Sequence, residues 1–433
     1  MQLYSTKSPK QLVDLKKAVL QGLPEDNGLY MPKELPRLEP SFLENLSSYT
    51  FPEIAFEVSK TLMQSAVPDA DLREIVEKAI DFPAPVVTLD PQTHILELFH
   101  GPSLAFKDFG ARFMARLMSY FNQDAQKELL ILVATSGDTG GAVASGFYKT
   151  PGIQVVILYP SGKVSPLQEK QLTTLGHNIT ALEIDGTFDD CQALVKQAFL
   201  DQELQAQIRL TSANSINISR LIPQSFYYFE AYKQLKDKNK EVVFSIPSGN
   251  FGNLTAGLLA QRMGLNVKAF IAATNINDVV PVYLSSGEYL PRPSVRTISN
   301  AMDVGNPSNF ARMLDLYCST WNIMRENVFG YSFNDQETRK CLKEVYDKHQ
   351  YVMDPHGAVG YLALEAYKKD HPEVQGIVLE TAHPSKFIDD VEDILSTSIS
   401  IPERLAKLAD EQKVSIEMKK DFSDFKNWLL ANY

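Results

Sequence analysis

A chain of 433 residues with 44% hydrophobic content can bury a large core and exceeds one compact unit, so two or three lobes are expected. Its formal net charge of -11, from 53 acidic against 42 basic side chains, excludes a general electrostatic attraction to nucleic acid or to an anionic membrane. The cysteines Cys191, Cys318 and Cys341 are too far apart for a C-x-x-C metal or redox motif and odd in number for a disulfide framework, so a reducing compartment and no metal site are expected. The first residues carry neither an apolar signal core nor an Arg-rich transit pattern, and no apolar stretch reaches membrane-spanning length. The expectation is a soluble cytoplasmic protein.

Residues 1–92 read as a mostly helical region. Apolar positions recur at helical spacing at Leu12, Leu15 and Val19 and again from Ile54 to Met63, with Pro-rich joints at Leu35, Pro36 and Pro40 between them. From Thr93 onward short β-branched runs alternate with helical segments, the pattern of an α/β core with largely parallel strands. A smaller lobe over 93–200 and a larger one over 201–433 are expected.

Four strands in this core matter because of the turn that each one leads into. Leu129 to Ala134 precedes TSGDTGG (135–141) and a small-residue helix from about Ala142, while Val155 to Tyr159 precedes PSGKVSP and a helix ending near Gly176. Val242 to Ile246 precedes PSGNFGN (247–253) and a helix from Leu254 to Arg262; Ile377 to Leu379 precedes Thr381, Ala382, His383, Pro384 and a further helix. The charged run from Lys233 to Glu241 reads as a solvated helix end and loop. Ligands bind outside the carboxyl ends of strands in open α/β sheets, so these turns are expected to converge on one crevice.

In PSGNFGN, glycines at 249 and 252 free the backbone so that the N–H groups of Gly249, Asn250, Phe251, Gly252 and Asn253 can face a phosphate at the positive end of a helix. Taken alone, the same letters describe an ordinary strand-to-helix turn. TSGDTGG offers the hydroxyls of Thr135, Ser136 and Thr139, with Asp138 equally readable as a helix cap. Neither turn matches a nucleotide P-loop or the G-x-G-x-x-G dinucleotide fingerprint. In ELFHGPSLAFKDFGARF (97–113), Lys107 comes after Leu104, Ala105 and Phe106 and precedes Asp108. A desolvated lysine shifts toward the neutral amine that can condense with an aldehyde, although most lysines are solvated surface charges; His100 reads equally as a structural histidine.

Together these segments resemble the fold-type-II pyridoxal-phosphate enzymes and, within them, threonine synthases of the bacterial and fungal kind. HGPSLAFKDFGARF is similar to that family's cofactor-lysine segment, ATSGDTG to its substrate loop, SANSINISR (212–220) to its phosphate-contacting stretch, PSGNFGN to its cofactor-phosphate loop and TAHPSKF (381–387) to its late motif. GLPEDNGLYMP, LYPSGKVSPLQEKQ, AATNINDVVP and AMDVGNPSN extend the likeness over nearly the full chain in the family's order. The departures are Ser103 where threonine is common, Asn27 for glycine and Gly141 for alanine. Asn27 tolerates a left-handed turn and Ser103 keeps its hydroxyl.

The resemblance implies two open, twisted, largely parallel α/β lobes with the active site between them, pyridoxal 5'-phosphate as cofactor, and O-phospho-L-homoserine as substrate. Lys107 would hold the cofactor aldehyde and later shuttle protons. Gly249, Asn250, Phe251, Gly252 and Asn253 would hold the cofactor phosphate, and Thr381 the pyridine nitrogen. Arg220, with Ser215, would hold the substrate phosphate, Thr135, Thr139 and Asn250 adding contacts. The loop through Ser136 and Asp138 would meet the substrate carboxylate and the hydroxyl side of the ring. A monomer or small homo-oligomer is expected. Deamination of serine or threonine, breakdown of phosphohomoserine to 2-oxobutyrate and a non-catalytic binding role share this scaffold, and products decide among them.

Overall fold

The computed structural model describes residues 1–237 and 240–433. The chain opens with three short strands, β1 (Gln2–Ser5), β2 (Ser8–Asp14) and β3 (Tyr30–Pro32), in an antiparallel sheet of order β2-β1-β3. This corrects the helical reading of the first residues. Leu12 lies in β2 at 41% exposure, opposite Tyr4, whereas Leu15 and Val19 are the buried positions of a separate helix, Leu15–Gln21. Three apolar residues at helical spacing straddle a strand and a helix, and spacing alone cannot locate the break. Helices Phe51–Met63 and Asp69–Ala79 come next, the first fixed by a capping box between Thr50 and Glu53.

Two larger sheets carry the core. One contains β4 (Val86–Asp90), β5 (Thr93–Glu97), β10 (Val242–Pro247), β11 (Ala269–Thr274), β12 (Val328–Ser332) and β13 (Gln375–Glu380), in the order β12-β11-β10-β13-β5-β4. It is parallel apart from the edge pair of β4 with β5. The other is wholly parallel and contains β6 (Leu129–Ala134), β7 (Ile153–Pro160), β8 (Ile179–Asp185), β9 (Arg209–Ser212) and β14 (Ile416–Lys419), in the order β14-β8-β7-β6-β9. The expected boundaries at 92/93 and 200/201 are therefore not sheet boundaries: β4 joins the six-stranded sheet, and β9 and β14 join the five-stranded one.

The central strands are continuous apolar runs because both faces are covered. Ile131 and Val133 face the main core with Phe244 and Ile246, while alternate residues Leu130 and Leu132 pack outward against the helix Phe188–Leu200 and against Phe425 and Leu429. Val243 and Val378 face outward to the helix Pro355–Lys368. The charged run from Lys233 differs from its expected reading: the helix Phe226–Gln234 ends there, but Lys233 bonds Glu230 at 2.7 Å and the Tyr49 carbonyl at 3.1 Å. Lys238 and Asn239 of that run lie outside the described residues.

Candidate active site

The carboxyl ends of β5, β6, β9, β10 and β13 deliver the five motifs to one place. Beyond β5 and β13, neighbours in the six-stranded sheet, the two segments stay together through a short antiparallel contact. Phe106 N–H donates to the Thr381 carbonyl at 2.8 Å, His383 N–H donates to the Leu104 carbonyl at 3.0 Å, and Ala105 pairs with Ala382. Lys107 is thus set one residue from a strand-like contact with the segment that carries Thr381. Leu104 holds φ of 60°, a left-handed conformation rare for a branched side chain, and turns the chain sharply into the helix Lys107–Asn122.

Lys107 is partly buried and its amine is shifted toward the neutral form, chiefly by burial. Asp138 opposes that shift, while Lys386 and Arg220 reinforce it. Its place at a helix N-terminus adds to the effect, because the backbone there presents partial positive charge. The adjacent Asp108 is fully buried, with Oδ2 accepting the Ser103 N–H at 2.8 Å, and burial pushes its carboxyl up to about 6.

In the turn after β10, Ser248 N–H is taken by the Ala273 carbonyl and Phe251 adopts φ of 60° before the helix Gly252–Arg262. The next N–H groups are the orphan donors of a first helical turn, free to bind an anion. Gly249 is required by close approach: a Cβ there would lie 2.6 Å from the Ala301 carbonyl oxygen and 3.0 Å from Met302 Cα. Asn250 fastens the loop to the GNPSN segment, its Oδ1 accepting the Ser308 N–H at 3.3 Å and hydroxyl at 3.1 Å.

Arg220 is 3% exposed, donates to the Ala213 carbonyl at 2.5 Å and keeps a buried Nε without a partner among the described residues. Burial lowers it to about 10 against the pull of Asp108, so it stays charged at neutral pH. Ser215 meets Asn309 only at 3.4 Å. Thr135 turns its hydroxyl inward, accepting the N–H groups of Gly137 at 3.0 Å and Gly140 at 2.8 Å. It shapes the loop from within, leaving exposed Ser136 and half-buried Thr139 as the loop's outward hydroxyls. Burial would raise the Asp138 carboxyl, but Lys386 and then Lys107 hold it well below the usual carboxylate range.

Sequence reasoning missed several buried polar groups here. Lys386 sits inside the TAHPSKF motif and bonds Asp138. Asp354 caps the helix Pro355–Lys368 and accepts the His356 Nδ1–H at 2.5 Å, with the Ala382 N–H at 3.4 Å. The His356 tautomer is set by its other nitrogen, because Nε2 accepts the Ala301 N–H at 3.1 Å. Asp354 and His356 so connect the residue after Thr381 to the turn packed on Gly249. Glu380, whose Oε1 accepts the Asp354 N–H at 2.5 Å, is driven far up by burial and then by Asp354. Arg312, fully buried, binds the carbonyls of Tyr30, Ser215 and Ile216 and the Asn309 side chain. An Asp before Pro, as at 354, is a readable helix-start signal; nothing local distinguishes Lys386 or Arg312 from surface cations.

Among the described residues no cluster of three or more His, Cys, Asp or Glu could hold a metal, and no helix is long and apolar enough to cross a membrane. An amine biased toward its free base, a row of orphan backbone donors and a buried guanidinium with an idle N–H fit an aldehyde that carries a phosphate, together with a second phosphate on the substrate.

Comparison with known proteins agrees with this geometry. The sequence matches the families described as "Pyridoxal-phosphate dependent enzyme" over residues 85–379, "Threonine synthase N terminus" over 2–80 and "Threonine synthase, C-terminal" over 357–428. It is 47% identical over 434 aligned positions to the threonine synthase of Haemophilus influenzae, covering 100% of both chains. The crystal structure of threonine synthase from Escherichia coli superposes with a TM-score of 0.93 at 44% identity, covering 100% of both chains. A pyridoxal-phosphate-bound threonine synthase from Brucella melitensis gives 0.93 at 34% identity, covering 99% of this chain and 98% of that one.

Proposed function

Because the chain belongs to the threonine synthase family of pyridoxal-phosphate enzymes, we propose a division of that family's reaction among the residues gathered at this crevice. The reaction converts O-phospho-L-homoserine and water to L-threonine and phosphate, on fold-type-II architecture with pyridoxal 5'-phosphate as cofactor. When bound, the cofactor supplies an electron sink that acidifies the substrate's Cα–H and then its Cβ–H.

Lys107 would hold the cofactor aldehyde through Nζ, and its amine, when free, would accept the proton from the substrate's Cα and then from Cβ and return protons to Cα and Cγ. The backbone donors of Gly249 to Asn253 would hold the cofactor phosphate, and the Thr381 hydroxyl would serve the pyridine nitrogen. Arg220 engages the substrate phosphate through a planar, permanently charged fork, with Ser215 beside it, and so holds the leaving group as it departs from Cγ. Asp138, Ser136 and Thr139 face the substrate carboxylate and ring side, with Asn250 at the phosphate end. Water supplies the hydroxyl at Cβ. On this reading the protein works in the cytoplasm as a monomer or small homo-oligomer, without nucleic acid.

The observation that supports the reading is the backbone pairing of Phe106 with Thr381 at 2.8 Å, which brings the residue before Lys107 beside Thr381 from a distant part of the sequence. The test is release of phosphate and threonine from O-phospho-L-homoserine. Wild type should form both in equal amounts and Lys107→Ala neither. Arg220→Lys, which keeps charge but loses the fork, should raise KM by roughly 10- to 100-fold, the worth of one or two charge-assisted hydrogen bonds. Ammonia and 2-oxobutyrate as the products would refute the reading.

A further inference from the structure

The charges that act most strongly on Lys107 form a buried ion pair, Asp138 with Lys386, whose lysine has no part in the steps above. Lys386 Nζ stands 2.5 Å from Asp138 Oδ1 and 2.9 Å from the Ser103 carbonyl oxygen, and the lysine is 3% exposed. Gln168 Nε2 donates to the same Asp138 oxygen at 2.9 Å, and Asp138 is 7% exposed. The pair joins the turn after β6 to the segment after β13, and through Ser103 it touches the loop that delivers Lys107. Of the charges acting on Lys107, that of Asp138 is the strongest, with Lys386, Arg220 and Asp354 next in turn. Asp108, next in the same helix, acts on Arg220.

A lone buried carboxylate at Asp138 would draw the nearest available cation, and after Lys386 that cation is Lys107. We propose that Lys386 is a positioning residue, the counter-ion that engages Asp138 and so leaves Lys107 as the free amine that captures the cofactor. In that capture the Nζ lone pair forms the bond to the aldehyde carbon, and the aldehyde oxygen leaves as water with the two amine hydrogens. An ammonium offers no lone pair until a base removes its third proton. Without Lys386, Asp138 stabilises that ammonium, and buried charges separated from their partners cost enough to enforce the exchange. The inference rests on Lys107 being the cofactor lysine.

The experiment uses the full chain freed of cofactor, mixed with pyridoxal 5'-phosphate from about pH 6 to about pH 10, a range bracketing a depressed lysine. Covalent capture is trapped with borohydride and counted by mass spectrometry, which gives the pH at half-maximal capture rate without any turnover. Lys386→Met should raise that midpoint by about one pH unit or more, the size of effect an opposite charge at close range exerts. Lys386→Arg should keep it near wild type, Asp138→Asn should lower it, and the double variant Lys386→Met with Asp138→Asn should return toward wild type. A folded Lys386→Met chain with the wild-type midpoint overturns the proposal. Should that variant fail to fold, a midpoint for Asp138→Asn at or above wild type overturns it instead. Capture that persists in Lys107→Ala refutes the assignment of the cofactor lysine itself, which separates the two failures.

Discussion

Replacing Asp108 by asparagine should stabilise the protein, and only above a definable pH. The carboxyl is fully buried, accepts the Ser103 N–H at 2.8 Å, and leaves Oδ1 without a partner among the described residues. Burial raises it from its ordinary 3.8 to about 6. The native chain therefore keeps this proton over a pH range in which the unfolded chain has lost it. Stability from this site is complete below pH 3.8, falls as pH rises, and is gone above about pH 6. With 1.36 kcal/mol for each pH unit between the two states, ionised Asp108 costs the native state about 3 kcal/mol. Asparagine reproduces the protonated shape, accepts the same N–H and carries no charge at any pH. A chain of 433 residues unfolds with an entropy of about 0.9 kcal/mol/K at roughly 2.1 cal/mol/K per residue, so the full effect is a gain of about 3 °C in Tm. Differential scanning fluorimetry of both proteins across pH should show coincident Tm values near pH 4 and a gap opening to its full size by about pH 7. A gap independent of pH, or a variant less stable at pH 7, would refute the assignment of a costly buried carboxylate at this position.

Two further substitutions test the scaffold around the crevice. Gly249→Ala puts a methyl group 2.6 Å from the Ala301 carbonyl oxygen and must displace the turn proposed to hold the cofactor phosphate; at about 1–3 kcal/mol for overpacking, cofactor affinity measured by fluorescence titration should fall roughly 10- to 100-fold, and unchanged affinity would count against the turn as the phosphate site. Arg312→Met removes the donors to the Tyr30, Ser215 and Ile216 carbonyls; at about 1–3 kcal/mol for each buried acceptor left unpaired, the loss should reach about 3 kcal/mol or more and appear as a lowered Tm, with an unaltered Tm contradicting a structural role.

The parts of this molecule legible in the sequence are those in which a local pattern has one structural solution. The run LLILVA is β6 to the residue, and VVFSI is β10 less its final proline. The turns after them are where polar letters beyond an apolar run must be, because the strand has ended and the next helix must be capped. Asn27 does take the left-handed conformation, with φ of 56°, that its place in a glycine position requires. The features that could not be read depended on partners far away in the chain. Leu12 matches a helical spacing by accident of where a strand stops. The helix after TSGDTGG begins at Asp138, not near Ala142, because the loop is folded around the Thr135 hydroxyl. Lys386 looks like any surface lysine until Asp138, some 250 residues earlier, is brought beside it.

The interleaving of the two sheets governs how the protein can be made. In a chain emerging from the ribosome, β6 to β9 are complete while the strand that covers the outer edge of β8, residues 416–419, is still to be translated. The partner that sets β5 inside its sheet, β13, also arrives late. Each half-built sheet must wait with an unpaired edge open to mispairing with other chains, the condition in which large parallel sheets aggregate. A cut between residues 200 and 201 would leave each sheet without strands that the other half supplies.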